Sequence, residues 1–343
     1  MSGQLGFFDL SNRYEQLSQQ GDPLVKLNEL IPWQHFRPLL KKALKKQRKS
    51  TAGRKPYDSI LLFKMLVLQS FYNLSDEQVE FQIKDRLSFM RFLGLGLEAK
   101  VPDATTLWLF RETLVQSQVI EKLFKQFDKY LNAKGFEARL GSIIDASLVE
   151  VPKQRNSKEE NQQIKEGKVP QEWQSKPHQL RQKDVQARWA KKHSQNYYGY
   201  KNHINVDVKH KLIRTFVVTP ASTADIKCLE TLLDENNRDK KIWADKAYRS
   251  DEIENILAEN NYESRIHYRP RKGGWMPEEE KRWNYRYSKI RARVEHAFGF
   301  ISNTLKGNFI RTIGLARAYF KIGMNNLVYN FCRYRQCLQA GSA

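Results

Sequence analysis

Hydrophobic positions at helical spacing dominate the chain from residue 54 to residue 130. Residues 60–72 are apolar nearly all round, which predicts a central buried helix. Ser75 and Gln78 match a capping box, and the helix that they start should run to Gly94. Its apolar positions are Val79, Ile83, Leu87 and Met90. Short helices joined by tight turns are typical of a helix-turn-helix DNA reader and also of a dimerisation bundle, and the pattern does not choose between them.

Further helices are predicted on either side of this pair. Pro102 and Asp103 should start one whose apolar positions are Leu107, Phe110 and Leu114. Residues 1–50 are polar and predicted to be partly helical. Between residues 37 and 50, cations accompany leucines at helical spacing. This indicates a helix that binds phosphate or a membrane surface, or one whose charged face is simply solvated.

Beyond residue 139 the pattern changes to short apolar runs. Residues 140–149 predict a strand, and the polar residues 152–195 predict an insertion or flexible loop. The later predicted elements are strands at 200–207 and 211–219 joined by a turn at 209–211, a helix at 224–235, a strand at 241–244, a helix at 251–260, a strand at 265–268 and a long helix from Ser288. Strands that alternate with helices in this way predict an α/β fold with a mixed sheet flanked by helices. Residues 310–338 predict one or two further helices that pack on this domain.

The charge of the chain narrows the class of partner. The 343 residues include 59 Lys and Arg against 38 Asp and Glu, a net charge of +21. Such an excess indicates a nucleic-acid partner, because each neutralised phosphate releases counterions. A basic surface that merely improves solubility is the alternative.

Cysteine and hydropathy patterns exclude other classes. Cys228, Cys332 and Cys337 form no CxxC pair and have no histidine cluster beside them, so a zinc site is not expected. The longest apolar stretch, 60–72, is too short to span a bilayer, and the N-terminus lacks the order of a signal peptide. We therefore expect a cytoplasmic protein, associated with the nucleoid, that has no membrane partner.

Three acidic residues lie in matching contexts. Asp145 and Asp245 close short apolar runs that predict buried strands, and Glu295 lies on a predicted amphipathic helix. A buried carboxylate is costly unless a positive group compensates it. Because ligands often gather outside the carboxyl ends of strands in α/β sheets, we expect the two aspartates to lie close together. The apolar stripe of the helix should face the sheet, which directs Glu295 towards both.

Carboxylates in a basic chain indicate divalent metal held against a polyanion. Mg²⁺ prefers oxygen ligands and keeps several waters. Two ions can serve the attacking and the leaving oxygen of a phosphodiester, so no histidine base is needed. We therefore expect two Mg²⁺ ions, with Mn²⁺ as a substitute, held by Asp145, Asp245 and Glu295. Taken singly, each aspartate also fits a structural role, and Glu295 fits a pair with Arg291 four residues before it.

Cations alternate with aromatic residues between Arg269 and Arg293. The rings are Trp275, Trp283, Tyr285 and Tyr287. Such a stretch is typical of a surface that tracks phosphates while rings stack on bases, although a packed aromatic loop with solvated charges has the same pattern. The predicted DNA-binding residues are Lys201, His203, Arg269, Arg271, Lys272, Arg286, Arg291 and Arg293. For His203, a structural role is the alternative.

Several blocks of the sequence together resemble the insertion-sequence-five group of bacterial transposases, which have an Asp-Asp-Glu triad. Residues 53–95 and the block PDATTLWLFR are similar to the N-terminal helical domain of that group. YYGYKNHINVD, VVTPASTAD, WADKAYRS and RARVEHAFGFI are similar to successive parts of its catalytic domain. The resemblance covers about residues 40–335, and its specificity comes from the shared order of the blocks.

The resemblance implies a fold, an activity and partners. The implied fold is a ribonuclease-H-like mixed sheet, preceded by an all-helical N-terminal domain, with Asp145, Asp245 and Glu295 as the triad. The implied activity cuts the ends of the element and joins the freed 3′-hydroxyls to target DNA. The partners would be double-stranded DNA, as terminal inverted repeats and as target, and a second copy of the chain that holds the other end.

The expected organisation has four parts. They are a polar, basic segment (1–50), a helical DNA-binding or dimerisation domain (51–135), a catalytic domain (136–310) with an insertion at about 152–195, and C-terminal helices (311–343) that pack on the catalytic domain. Related elements carry Tyr, Arg, Glu and Lys around the third acid. Here Arg291 has the expected spacing, Tyr287 lies one residue too early, and Ser302 stands where Lys is expected.

Two other readings of the sequence remain open. An enzyme of the same fold could act as a plain nuclease without strand transfer. A non-catalytic DNA-binding protein could keep the scaffold, although an intact set of three acids argues against it.

Overall fold

Eight helices form the N-terminal part of the computed structural model, which describes residues 8–45, 56–192 and 194–341. They are α1 (Asp9–Gln19), α2 (Pro23–Leu30), α3 (Trp33–Ala43), α4 (Ser59–Tyr72), α5 (Asp76–Asp85), α6 (Leu87–Leu93), α7 (Ala104–Gln116) and α8 (Ile120–Ala133). The basic stretch predicted to be helical at 37–50 begins in α3, and its residues 46–50 lie outside the described residues. Within the described ranges, no helix is both long and apolar enough to cross a membrane.

Local sequence signals position these helices. The Ser75 hydroxyl accepts the backbone N–H of Gln78, whose side chain accepts the backbone N–H of Ser75, so the predicted capping box is confirmed. Asp103 caps α7 as predicted. The single helix predicted from Ser75 to Gly94 is instead two, α5 and α6, because Arg86 adopts an extended backbone with ψ 115°. The break lets α6 turn its phenylalanines into the core beside α2 and α4.

Six strands build the mixed sheet that the sequence predicts. They are β1 (Ser142–Glu150), β2 (Arg188–Lys192), β3 (Gln195–Asp207), β4 (Ile213–Pro220), β5 (Lys241–Ala244) and β6 (Glu263–Ile266). The order is β2-β3-β1-β5-β6, and β4 also pairs with β3. Strand β3 is antiparallel to β1, β2 and β4, whereas β1, β5 and β6 run parallel.

Helices connect and cover the strands. They are α9 (Lys158–Lys165), α10 (Gln171–Gln174), α11 (Pro177–Leu180), α12 (Leu229–Leu232), α13 (Asp251–Glu259), α14 (Glu278–Arg291), α15 (Val294–Gly299) and α16 (Leu315–Gln339). The helix predicted at 224–235 is a 3-10 turn followed by the short α12. The helix predicted from Ser288 already begins at Glu278, and it breaks before α15.

Residues 152–192 contain short helices and strand β2, so of the two predictions for this segment, an insertion or a flexible loop, the flexible loop is wrong. Hydrogen bonds replace the missing aliphatic residues in this insertion. Trp173 is fully buried and its indole N–H donates to Glu160 (2.7 Å). The buried Asp184 accepts the Tyr200 hydroxyl (2.7 Å) and the backbone N–H of Gly314 (3.0 Å). The insertion is therefore tied to the sheet and to the chain that leads into α16.

Alternate residues of β1 enter different cores. Ile143 belongs to the larger core, which contains residues of α15 and α16, and Ile144 belongs to a smaller one beneath α12 and α13. On β5, Trp243 faces the larger core and Ala244 the smaller one. By this alternation, Asp145 projects from the sheet face that α15 covers.

Helix α16 joins the sheet to the N-terminal helices. It packs on β3 and β4, where the sequence predicts packing on the catalytic domain, and also on α2, α4, α7 and α8, which the sequence analysis did not predict. The buried amides of Asn326 and Asn202 exchange two hydrogen bonds (2.9 and 3.0 Å). Asn330 bonds both the N–H and the C=O of Ile213. These bonds fix the position of α16 because an unmet buried polar group is costly.

A valine at Gly323 tests this packing. A Cβ at Gly323 would lie 2.7 Å from Ile120 and 2.9 Å from Phe216. We expect Gly323→Val to lower the free energy of unfolding by about 1–3 kcal/mol through overpacking, measured by urea denaturation. Gly96→Val is the control, because no atom lies within 4 Å of that Cβ. Equal stability of the two variants would contradict the close packing of α16.

Candidate active site

Asp145 and Asp245 are adjacent across two parallel strands. The register pairs Ile144 of β1 with Ala244 of β5, and each aspartate is the next residue. Neighbouring strands lie about 4.8 Å apart, so two carboxylates at matched positions repel each other unless a cation lies between them. The predicted proximity of the two aspartates is therefore a direct result of strand pairing.

Arg291, at the end of α14, supplies that cation. Its guanidinium lies 3.2 Å from Asp145 Oδ2 and 3.7 Å from Asp245 Oδ1. Asp145 also accepts the backbone N–H of Ala146 (2.8 Å). Burial nevertheless raises the pKa of Asp145, because the loss of hydration outweighs the effect of Arg291. The pair is thus held together by one arginine, beside an Asp145 side chain that is 17% exposed and an Asp245 side chain that is 40% exposed.

His267 is a site residue that the sequence analysis did not single out. It directly follows β6, and its Nδ1 lies 3.8 Å from Asp245 Oδ1 and 3.3 Å from Arg291. The imidazole lowers the pKa of Asp245 to about 2, with Arg291 acting in the same direction. The sequence could have indicated His267 through its position directly after a strand, because the carboxyl ends of parallel strands meet at one edge of a sheet.

Glu295 lies in the first turn of α15 and lines the same cleft as the two aspartates, a cavity of about 520 Å³. The predicted apolar stripe is confirmed, because Val294, Ala297 and Ile301 are buried. Within the described ranges, however, no three His, Cys, Asp or Glu side chains are arranged so that they could hold a metal ion. The structure therefore brings the three predicted acids to one cleft without bringing Glu295 into a ready-made cluster.

The walls of this cleft carry further charges. Lys201 pairs with Asp225 (2.7 Å) and also donates to the carbonyl of Thr223 (2.8 Å). Lys191 and Lys192, on the unpredicted strand β2, are exposed and line the cleft. The two lysines were missed because the polar insertion gave no strand signal, and Asp225, which starts a 3-10 turn after β4, was not singled out either.

Among the other predicted DNA-binding residues, some exposed side chains bond neighbouring residues and others do not. Arg271 pairs with Glu280 (3.1 Å), and Arg293 donates to the carbonyl of Val208 (2.9 Å). Arg269 bonds the carbonyls of Lys246 and Ala247. Lys272 and Arg286 are exposed, as are the rings of Trp275 and Tyr285. The exposed side chains around α14 are therefore accessible to DNA.

Two residues of the predicted DNA surface are buried. His203 is fully buried and its Nε2 lies 2.8 Å from the Thr219 hydroxyl, so the prediction that it contacts DNA is wrong for this structure. Tyr287 is buried and stacks on His267, so its ring is not available to a base. The alternation of residues in β3 could not reveal the burial of His203, because both faces of that strand are covered.

The burial of His203 predicts a pH dependence. Burial lowers its pKa to about 4, so the folded protein resists protonation of the imidazole. Its contribution to stability is complete above about pH 6.5 and is lost as the pH falls through the folded pKa, by about 3 kcal/mol. We expect His203→Gln to remove this part of the acid destabilisation, measured by urea denaturation at several pH values. His178→Gln, which changes an exposed histidine, should keep the wild-type profile.

Comparison with known proteins identifies the family of the chain. No solved structure matches the chain. A transposase domain model (DUF772) matches residues 12–113, and the transposase DDE domain model matches residues 137–331. The second match covers more than half of the chain and contains all three predicted acids. The chain therefore belongs to the DDE transposase family of insertion sequences.

Proposed function

We propose that this transposase cuts the ends of its element and joins the freed 3′-hydroxyls to target DNA, with Asp145, Asp245 and Glu295 as its catalytic acids. The observation that carries the proposal is the pairing of Asp145 with Asp245 across parallel strands, in a cleft that Glu295 also lines. Each step would be a displacement at phosphorus, first by water and then by a 3′-hydroxyl.

The topology supports a ribonuclease-H-like catalytic fold. Three antiparallel strands, β1, β3 and β4, are followed by the parallel strands β5 and β6, with helices between them. Strand β2, from the insertion, extends this arrangement. In this proposal residues 136–310 form the catalytic domain, although its core continues into the helices of residues 51–135 and 311–343.

The donor set fits divalent metal. Asp145 and Asp245 would hold two Mg²⁺ ions, or Mn²⁺ in their place, and Glu295 would approach from α15. When bound, the ions supply positive charge to the attacking and leaving oxygens of the phosphodiester. Arg291 now compensates the two carboxylates. Once bound metal ions neutralise the two carboxylates instead, the Arg291 guanidinium would be available to a phosphate of the DNA.

The chain supplies other contacts for the polyanion. Lys191, Lys192 and Lys201 line the catalytic cleft. The exposed Trp275 and Tyr285, with Lys272 and Arg286, form a surface on and before α14 that suits phosphates and bases. Ser302 stands where the insertion-sequence-five pattern expects Lys, and its hydroxyl donates to the carbonyl of Gly299 (3.3 Å). We therefore assign no phosphate contact to position 302.

Membership of the insertion-sequence-five group and a dimeric active form are part of the proposal. The order of the sequence blocks supports the group. The dimer follows from the need to hold two element ends together during joining. Association with the nucleoid would follow from DNA binding by a chain of net charge +21.

One experiment separates the transposase from its two alternatives. The protein is incubated with Mg²⁺, labelled duplex that carries the end of its element, and a target plasmid. Joined products support transposition. Cleavage without joining would indicate a nuclease, and binding without cleavage would indicate a non-catalytic DNA-binding protein.

Replacement of each acid tests the catalytic assignment. We expect Asp145→Asn, Asp245→Asn and Glu295→Gln each to reduce cleavage by more than about a thousandfold, because several kcal/mol of transition-state stabilisation would be lost. Binding of end DNA should persist. Glu150→Gln is the control, because Glu150 lies on the same strand as Asp145 but does not line the cleft. An acid whose variant still cuts at the wild-type rate is not catalytic.

Removal of Arg291 tests its role as the internal cation. Without metal, we expect Arg291→Met to lower the free energy of unfolding by about 1–3 kcal/mol, because the paired carboxylates lose a charged hydrogen-bond donor. Mg²⁺ should then raise the melting temperature of this variant more than that of the wild type, since no guanidinium competes for the carboxylates. Thermal denaturation with and without Mg²⁺ measures both effects.

Arg286→Met is the control for this comparison, because Arg286 is exposed on the same helix and bonds neither aspartate. A Mg²⁺-dependent rise in Arg291→Met no larger than in the control would contradict the competition between the guanidinium and metal.

A further inference from the structure

A second cleft lies apart from the catalytic one and has a volume of about 660 Å³. Three separate parts of the chain meet there: the N-terminal helices α4, α5 and α7, the insertion at Arg181, and residues 309–313 with the first turns of α16. None of its lining residues lines the catalytic cleft. The cleft has no role in the proposed chemistry.

Ion pairs form part of its lining. Arg111 binds Asp76 with two hydrogen bonds (2.6 and 2.8 Å). Arg317 pairs with Glu112 (2.7 Å). Both pairs connect secondary-structure elements that are distant in sequence or face each other across the cleft, so they fix its shape. Because each arginine is matched by an acid, these pairs add no net charge.

Three further cations are not matched. In the described part of the chain, no hydrogen bond or ion pair holds the side chains of Arg181 and Arg311, and Lys321 lies near the Asp76–Arg111 pair without bonding either member. Glu77 is the remaining acid in the lining. Burial lowers the pKa of Lys321 to about 8, and the nearby Arg111 adds to this effect. A cation held in this way gains stability when an anion enters.

Two large rings are exposed at the same cleft. Trp108 is 45% exposed and Phe309 is 42% exposed, and both belong to its lining. Exposed rings next to unmatched cations are suited to the sugar-phosphate backbone and bases of nucleic acid.

Strand β1 relates this cleft to the catalytic acids. Glu150, at the end of β1, donates its backbone N–H to Asn308 (2.8 Å) and accepts that of Ile310 (2.9 Å). Phe309 is therefore attached to the strand five residues beyond Asp145. At the rise of a β-strand this separation is about 17 Å, which for DNA that runs along β1 corresponds to roughly five base pairs.

We propose that Arg181, Arg311 and Lys321 form a phosphate clamp that grips the backbone of the same DNA that the catalytic cleft cuts, about five base pairs from the broken bond. The inference rests on the proposed function for the position of the cut, but not for the binding itself. The clamp assigns the insertion a role in DNA binding, because Arg181 belongs to the insertion and lines the second cleft.

The salt dependence of DNA binding tests the clamp. The probe is a labelled duplex of mixed sequence and about thirty base pairs, bound by the full chain in chelator and followed by fluorescence anisotropy. We expect the slope of log K against log salt to decrease in magnitude by about 2 in the double variant Arg181→Gln/Arg311→Gln and by about 1 in Lys321→Met. Lys321→Met keeps the volume of the side chain and removes a partly buried charge, so the fold should persist.

The matched control is Lys122→Gln/Lys125→Gln, which removes two exposed cations of α8 that line neither cleft. Slopes of the clamp variants that equal the control slope would overturn the proposal. Loss of slope in the clamp variants alone supports it.

A tethered reagent tests the distance. Cys228, Cys332 and Cys337 are all buried, so a cysteine introduced by Arg311→Cys can be labelled selectively with an iron chelate that cleaves nearby DNA. On duplex that carries the element end, we expect strand breaks about five base pairs from the cut that the enzyme makes in Mg²⁺. Breaks at the cut itself, or no breaks beyond those from Lys125→Cys, would overturn the clamp.

The two proposals can fail separately. A wild-type protein that cuts end DNA while the clamp variants keep the control slope retains the proposed function and loses the clamp. A protein whose binding depends on the clamp, but which never cuts, retains the clamp and loses the proposed function.

Discussion

The parallel pairing of β1 with β5 is the constraint on which the candidate site depends. It forces Asp145 and Asp245 into neighbouring positions, where two negative charges persist only beside a cation. Arg291 meets that need from α14, and His267 adds a contact to Asp245 from the end of β6. These groups come from β1, β5, β6 and α14. The charges of the site are therefore balanced only when all four elements are in place.

The position of Glu295 follows from the same arrangement. The break between α14 and α15 lets Arg291 reach the aspartates while the next helix starts with its own apolar stripe against the sheet. A continuous helix would fix both side chains by one rotation. Because the helix is interrupted, the position of Arg291 is set by α14 and that of Glu295 by α15.

Sequence reasoning predicted the elements whose local signals are strong. The capping box at Ser75 and the apolar run of β5 were identified, and the rule that ligands gather at the carboxyl ends of strands placed Asp145 and Asp245 close together. It failed where tertiary contacts replace hydrophobicity, as in the insertion, whose Asp184 and Trp173 are buried through hydrogen bonds. It also failed for His203, because a strand with polar residues gave no sign that both of its faces are covered.

Helix α16 has a consequence for how the protein is made. It is synthesised after the elements that it contacts, yet it fills the space between the sheet and helices α2, α4, α7 and α8. Until α16 leaves the ribosome, the surfaces of α4 and β4 that it covers lack this partner. The core between the sheet and the N-terminal helices of the transposase is therefore completed only after α16 has been synthesised, and until then its apolar surface is accessible to chaperones.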